Sequence, residues 1–124
     1  MTSSTVNATD GLEIILEDGE ESSVLHLKGR LGIDSSPALR DWLLAMLRRP
    51  SPKTVVVDVA DITYVDASGI ATLLEALKVA RHRQIRLYLQ GLQGRPLHFF
   101  EVAGVLPLFE TDRSRSASSE LTVS

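Results

Sequence analysis

The sequence contains no cysteine and no long apolar run, and these two absences exclude several classes of protein. Without cysteine there is no disulfide framework, and no thiolate can act as a metal ligand or a nucleophile. No stretch approaches the roughly 18 consecutive apolar residues of a membrane-spanning helix. The first ten residues, MTSSTVNATD, lack the basic start and apolar core of a signal peptide. We therefore expect a cytoplasmic protein that does not insert into a membrane.

Clustered basic residues are also absent. Thirteen Lys and Arg residues stand against 16 Asp and Glu residues, for a net charge of -3. The densest basic group, Arg81-His82-Arg83, is typical of cations at the end of a helix rather than of a phosphate-binding surface. The three histidines are far apart in the chain and match no metal-binding spacing. We expect no direct nucleic-acid contact, no metal site and no cofactor.

The apolar residues that are present predict one domain that begins with a hairpin. A length of 124 residues with 44% hydrophobic content is enough for a single core. Alternating apolar residues predict strands at residues 12–17 and 24–28. Asp18-Gly19 between them is a strong turn signal, so these strands are expected to form a β-hairpin.

Three amphipathic helices are predicted after the hairpin. Apolar residues at helical spacing mark residues 37–49, with Ser36 as the expected N-cap, and a second helix carrying residues 70–77. A shorter helix is predicted at residues 95–103, stopped by Gly104. The residues expected to face inward on this third helix are Phe99, Val102 and Ala103.

The remaining strands alternate with these helices. Residues 54–59 are rich in valine and predict a buried central strand, followed by a short acidic link. Residues 85–89 and 105–109 predict two more strands. Right-handed crossovers make strands of this order parallel, so we expect an α/β domain with a mixed, mostly parallel sheet, an N-terminal hairpin and three or more helices. The polar ends are expected to be disordered, at residues 1–10 and 112–124, with the domain at residues 11–111.

The most informative motif is Asp66-Ala67-Ser68-Gly69, directly before the second helix. It places one serine hydroxyl at a helix start, where backbone N–H groups point outward and the dipole favours negative charge. The same four residues suit an ordinary cap, with Ser68 or Asp66 as the capping side chain and Gly69 allowing a tight turn. Ser68 does not lie in G-x-S-x-G, and the chain has no Walker or dinucleotide motif. We therefore expect no enzyme.

The order of elements and three short motifs resemble the STAS family, the sulfate transporter and anti-sigma-factor antagonist domain. The resemblance covers residues 11–111. The motifs are GRL at residues 29–31, YVDASGI at residues 64–70, and FFEVAGV at residues 99–105 followed by LF at 108–109. The resemblance implies a STAS-like fold.

Stand-alone members of this length look like bacterial anti-sigma-factor antagonists. The resemblance implies that Ser68 is phosphorylated by a partner that is both a serine kinase and an anti-sigma factor, and that a phosphatase is a further partner. The unphosphorylated form would bind the kinase and release the sigma factor, which regulates transcription. The helix start is expected to hold the phosphate. The residues expected to bind the partner are Asp66, Ala67, Ser68, Gly69, Thr72, Asp34 and Ser35.

One position departs from the family pattern. Many antagonists carry an aspartate in the loop before the first helix, where this chain has Gly32, and we expect Asp34 and Ser35 to substitute for it. Ser35, Ser36 and Thr72 are also candidates for secondary phosphorylation, although each is first of all a helix-start or helix-face residue.

A second function stays open. The chain also resembles the small cytosolic STAS subunit of a bacterial lipid-transport complex that docks on an ABC-transporter ATPase. In that case Ser68 would only cap its helix, and no phosphorylation switch would exist. A third possibility, a small α/β enzyme, has little support in the sequence.

Overall fold

The computed structural model describes residues 3–50 and 53–111. These residues form one six-stranded sheet in the order β1-β2-β3-β4-β5-β6, with three α-helices and one 3-10 turn. The elements are β1 (Ser3–Thr9), β2 (Leu12–Asp18), β3 (Ser22–Leu31), α1 (Ser36–Leu47), β4 (Thr54–Val65), α2 (Ala67–His82), β5 (Arg86–Gln90), α3 (Gly94–Val102), η1 (Leu106–Leu108) and β6 (Glu110–Thr111). The expected disordered tail at residues 112–124 lies outside the described residues. The predicted α/β class with a mixed sheet is confirmed.

The predicted hairpin is confirmed as β2 and β3, but a further strand precedes it. The expectation that residues 1–10 are disordered is wrong for Ser3–Thr9, which pair antiparallel with the whole of β2. The connection is Asp10-Gly11, whose φ angles of 48° and 85° suit a two-residue hairpin turn. Pairing through the main chain needs no apolar residues, so the polar composition of this segment did not reveal it.

The central strand is longer than predicted. The valine run continues as strand through the expected acidic link, and β4 ends at Val65 instead of residue 59. Its extension pairs in parallel with the long β3, up to Leu31 opposite Val65, whereas pairing with β5 stops at Asp58. More than half of β4, residues 59–65, therefore projects past β5 and carries its end to the loop that precedes α1.

Helices α1 and α2 cover one face of the sheet. Two successive right-handed crossovers running in the same direction place their helices on the same side, and the two helices are in contact. Arg40 of α1 donates two hydrogen bonds of 2.8 Å to the carboxylate of Glu75 in α2. The side chains buried to 2% exposure or less include Ile14, Leu25, Leu27, Leu31, Leu39, Leu43, Leu47, Leu73 and Leu89.

Helix α3 is turned differently from the prediction. Phe100, with 2% of its surface exposed, packs edge-on against Phe109 at a centroid distance of 5.7 Å. Two consecutive phenylalanines cannot both face the core of one helix, so Phe99 faces outward, with 37% exposed, and Val102 is 69% exposed. The expectation that Phe99, Val102 and Ala103 point inward is wrong.

The end of the described chain also differs from the prediction. Residues 105–109 were expected to form a strand, but Leu106–Leu108 form a 3-10 turn and the strand is Glu110–Thr111. Pro107 lies within that turn, where its fixed φ and missing N–H are tolerated, whereas a sheet ladder would lose a donor. The short β6 pairs in parallel with β5.

The other face of the sheet carries a charged cluster. The imidazole of His26 lies between Asp58, at 2.7 Å from Nδ1, and Glu17, at 2.5 Å from Nε2. Burial of the ring opposes protonation, but the hydrogen bonds and charges of Asp58 and Glu17 outweigh it and raise the pKa of His26 above its usual value. The cluster joins β2, β3 and β4 with three side chains.

Candidate functional site

Asp66, and not Ser68, caps helix α2. Its backbone is extended, with φ of -125° and ψ of -175°. One carboxylate oxygen, Oδ1, accepts hydrogen bonds from the N–H of Ser68 at 2.9 Å and from the N–H of Gly69 at 3.2 Å. These two bonds satisfy donors that a helix start leaves without a partner. The choice between Asp66 and Ser68, which the sequence left open, is thereby decided.

The second oxygen of the same carboxylate holds the loop before α1. Asp66 Oδ2 accepts a hydrogen bond of 3.2 Å from the N–H of Ile33 and one of 3.3 Å from the hydroxyl of Tyr64. The guanidinium of Arg30 lies 4.1 Å from the centroid of the Tyr64 ring, in cation–π contact. One side chain therefore fixes three segments relative to one another: the α2 start, the end of β4 and the loop after β3.

Because Asp66 does the capping, the hydroxyl of Ser68 is free. Ser68 is half-buried, and its Oγ makes no hydrogen bond to any of the residues that the structure describes. No histidine or carboxylate among them accepts its proton, so the site contains no base that would make this serine a nucleophile. The arrangement offers an accessible hydroxyl to an external group.

The structure changes the expected place of a phosphate. The helix start was expected to hold it with free N–H groups, but the N–H groups of Ser68 and Gly69 already donate to Asp66. A phosphate on Ser68 would lie beside the Asp66 carboxylate and would find these two N–H groups already hydrogen-bonded. Its charge would therefore face outward unless Asp66 were displaced.

Gly69 has a packing role instead of the expected partner-binding role. It is buried, and a Cβ built on it would lie 2.7 Å from Leu31 Cγ and 2.8 Å from the Leu31 carbonyl oxygen. A contact that short cannot be accommodated without movement of the strand. Glycine at this position thus lets α2 approach β3 closely.

Two more of the expected partner-binding residues are buried. Thr72 is 8% exposed on the inner side of α2, and Ser35 is 1% exposed. The hydroxyl of Ser35 donates to the Arg30 carbonyl at 2.9 Å and accepts from the Gly32 N–H at 3.1 Å. Burial removes both residues from the surface that a partner or a kinase can reach, so these predictions are corrected. Ser36 is 6% exposed and donates to the Gly32 carbonyl at 2.6 Å, which excludes it in the same way.

The remaining predicted residues lie on the surface. Ala67 and Asp34 are exposed, and Asp66 and Ser68 are partly exposed. Asp34 lines a recess of about 90 Å³ together with Ile33 and Asp66. Sequence reasoning missed Ile33, which is 71% exposed, because an isolated apolar residue in a loop gives no periodic signal.

The position of the Asp66 carboxylate and the Tyr64 ring explains why residue 32 is a glycine. A Cβ at this position would lie 2.8 Å from Asp66 Oδ2 and 3.1 Å from the ring of Tyr64. The space that a side chain would need is filled by the carboxylate and the ring. Of the two residues expected to substitute for an aspartate at position 32, Asp34 is exposed in the same loop and Ser35 is buried. Only Asp34 is therefore accessible to a partner.

The described part of the chain contains no metal-binding cluster and no membrane-spanning helix. No three His, Asp or Glu side chains there converge as a metal ion would require. None of the described helices has the length and apolar character needed to cross a bilayer.

Comparisons with known proteins agree with this fold. Residues 15–108 match a family model described as "Mlab, STAS domain". The chain is 33% identical over 54 residues to an anti-sigma-B factor antagonist of Listeria monocytogenes, covering 44% of this chain and 47% of the relative. The match thus spans about half the length of that relative. An anti-sigma-B factor antagonist of Staphylococcus aureus is 25% identical over 84 residues, covering 68% of this chain and 77% of the relative.

The solved structures show the same architecture. An anti-sigma factor antagonist from Mycobacterium paratuberculosis superposes with a TM-score of 0.74 at 18% identity, covering 89% of this chain and 96% of that one. Identity this low supports the fold alone, whereas the family model covers most of the described residues. The chain belongs to the STAS domain family.

Proposed function

We propose that this protein is an anti-sigma-factor antagonist, a cytoplasmic binding module switched by phosphorylation of Ser68. The names of the Listeria and Staphylococcus relatives support an antagonist. The observation that carries the proposal for Ser68 is its unbonded, half-exposed hydroxyl at the start of α2. Because Asp66 holds the cap, the hydroxyl can be modified without removing any hydrogen bond that the helix needs.

The partner in this proposal is a protein that is both a serine kinase and an anti-sigma factor. It docks on the exposed surface around Ser68, formed by Ala67, Asp66 and Asp34. A phosphatase regenerates the binding form. In this proposal the protein itself catalyses no reaction, in keeping with the finding that no described histidine or carboxylate accepts the proton of the Ser68 hydroxyl.

The geometry around Ser68 supports a phosphorylation that weakens partner binding. A phosphate adds about -1.5 to -2 charge at neutral pH. The nearest helix N–H groups are already bonded to Asp66, and that carboxylate adds to the local negative charge. A like charge placed in a docked interface costs several kcal/mol, and each 1.4 kcal/mol weakens binding about tenfold. Loss of binding by two or more orders of magnitude is therefore expected.

The test measures binding to the anti-sigma factor kinase of the source organism. Wild type should bind it and release the sigma factor, and Ser68→Asp should bind at least about tenfold more weakly, since one carboxylate carries less charge than a phosphate. Ser22→Asp is the matched control, because Ser22 is exposed at the start of β3, on a different element. Equal binding by Ser68→Asp and wild type would contradict the switch.

The alternative function makes the opposite prediction. The matching family model is not restricted by its description to antagonists, so a STAS subunit that docks constitutively on a transporter ATPase stays a second candidate. In that case Ser68→Asp would bind its ATPase as wild type does, and no kinase would label Ser68. A pull-down by wild type that recovers an ATPase instead of a kinase would support it.

A further inference from the structure

Helix α3 exposes an apolar stripe that the core does not explain. Arg95, His98, Phe99 and Val102 follow one another at the spacing i, i+3, i+4, i+7, which places them on one helix face. Phe100 has turned the other way to pack on Phe109. The face left outside therefore carries two large apolar side chains and two basic ones.

This face forms one wall of a groove, and the end of β4 forms the other. The groove has a volume of about 450 Å³, within the usual range of small-molecule sites. Tyr64, 36% exposed, lies in its opposite wall. The lining consists of Thr63, Tyr64, Val65, Arg95, Pro96, His98, Phe99 and Val102.

The groove carries one guanidinium, that of Arg95, without an acidic partner in its lining. Arg95 and His98 form no ion pair or hydrogen bond to any residue within 3–50 and 53–111. No aspartate or glutamate lines the groove. The first turn of α3 has no side-chain cap, and the side-chain amide of the N-cap residue Gln93 donates a hydrogen bond to the carbonyl of Ala60. The end of the groove near Arg95 is thus suited to an anion, and the end near Val102 to an apolar group.

We propose that this groove binds an acyl carboxylate of medium chain length. The carboxylate would lie between Arg95 and His98, and the chain would run along Phe99 to Val102 opposite Tyr64. Arg95 and Val102 are seven residues apart, which corresponds to about 10 Å along the helix axis. The groove adjoins the proposed phosphorylation surface at Tyr64, whose hydroxyl donates to Asp66, but ligand binding at Arg95 and His98 does not require phosphorylation of Ser68.

The test is an NMR titration of the full chain with decanoate below its micelle concentration. Saturable shifts should appear in α3 and at the end of β4. Octanoate should bind roughly five- to fifteenfold more weakly, because each buried methylene contributes about two- to fourfold in affinity at a partly open site. Decyltrimethylammonium, which has the same chain and the opposite charge, should bind at least about fivefold more weakly than decanoate.

Two variants locate the site. Arg95→Gln and Val102→Ser should each weaken decanoate binding by about fivefold or more, and both positions are exposed, so the fold should persist. Leu108→Ser is the matched control, because Leu108 is apolar and 47% exposed but lies outside the groove. Absence of saturable binding, binding unchanged in both variants, or equal binding of the cationic analogue would each overturn the proposal. None of these results depends on a kinase, so a failure here leaves the proposed function intact.

Discussion

The starts of helices α1 and α2 use serine in opposite ways. At α1, the hydroxyls of Ser35 and Ser36 are buried and bonded to the loop that precedes the helix. At α2, the carboxylate of Asp66 takes that role, and Ser68 keeps a free, half-exposed hydroxyl. All three serines lie at the start of a helix, but Ser35 and Ser36 are buried and only Ser68 is partly exposed.

Because of this difference, the serines at the two helix starts should respond differently to substitution. A serine whose hydroxyl satisfies the backbone cannot be modified without a loss of stability. Where a neighbouring aspartate supplies those bonds, the serine is free to change without affecting the fold. The comparison predicts that substitutions of the residues around Ser68 affect stability more than substitution of Ser68 itself.

The largest effect is expected for Gly69→Ala. Alanine normally stabilises a helix by up to about 1 kcal/mol relative to glycine. Here the added Cβ would meet Leu31 Cγ and its carbonyl oxygen below 3 Å. We expect a loss of about 2–3 kcal/mol in the free energy of unfolding, measured by urea denaturation. A stabilising substitution would contradict the close approach of α2 to β3.

Asp66→Ala is expected to cost about 2 kcal/mol, because it removes the cap of α2 and the bonds to Ile33 and Tyr64 together. Asp66→Asn is the control. An asparagine oxygen can still cap the helix, so the loss should be about half as large. If Asp66→Ala were as stable as Asp34→Ala, an exposed substitution in the same site, the central role of this carboxylate would be refuted.

Ser35→Ala should lower the free energy of unfolding by about 1–2 kcal/mol. The change leaves the buried Gly32 N–H and Arg30 carbonyl without this partner. Thermal and urea unfolding of this variant beside Ser68→Ala measures the comparison of the two helix starts directly. Equal stability of the two variants would remove the distinction between them.

His26 lies away from both helix starts and is expected to make the free energy of unfolding depend on pH. Its pKa is raised by Asp58 and Glu17, so the stabilisation is fully present below the unfolded pKa of about 6.5 and is lost as the pH rises through the higher folded pKa. The stability of wild type relative to His26→Gln should therefore fall as the pH rises above about 6.5, by less than about 1 kcal/mol for a partly exposed cluster. A difference that grows with pH would contradict the sign of this shift.

The smallest effect is expected for Ser68→Ala. Its hydroxyl has no partner among the described residues, so the free energy of unfolding should change by no more than about 0.5 kcal/mol. Urea unfolding at neutral pH measures it. A loss above about 1 kcal/mol would mean that the hydroxyl takes part in the cap.

The sequence predicted the fold well where side-chain periodicity determines structure. The hairpin, the three helices and the order of the parallel strands follow from apolar spacing and from turn residues such as Asp18-Gly19. The sequence-based prediction failed where main-chain pairing, or the choice between two adjacent apolar side chains, determines the structure. Ser3–Thr9 form a strand without an apolar pattern. On α3, Phe100 occupies the core position and contacts Phe109, so the adjacent Phe99 faces outward.

For the site, the sequence identified the segment but not the task of each residue. The motif at residues 66–69 marks a helix start that contains a serine. Which residue caps the helix, Asp66 or Ser68, depends also on the positions of Ile33 and Tyr64, which the loop before α1 and the long β4 bring to Asp66. The burial of Ser35 and Thr72 depends on how the helices pack. Such long-range contacts leave no signal in a single sequence.

The most direct test of the proposed switch is the position of the phosphate after treatment with the proposed partner, the anti-sigma factor kinase of the source organism. The chain is incubated with ATP and the kinase, digested, and its phosphorylated residues are mapped by mass spectrometry, with Ser68→Ala treated in parallel. We predict phosphate on Ser68, none on Ser35 or Ser36, and no labelling of Ser68→Ala. Phosphate on either buried serine, or undiminished labelling of Ser68→Ala, would contradict the account.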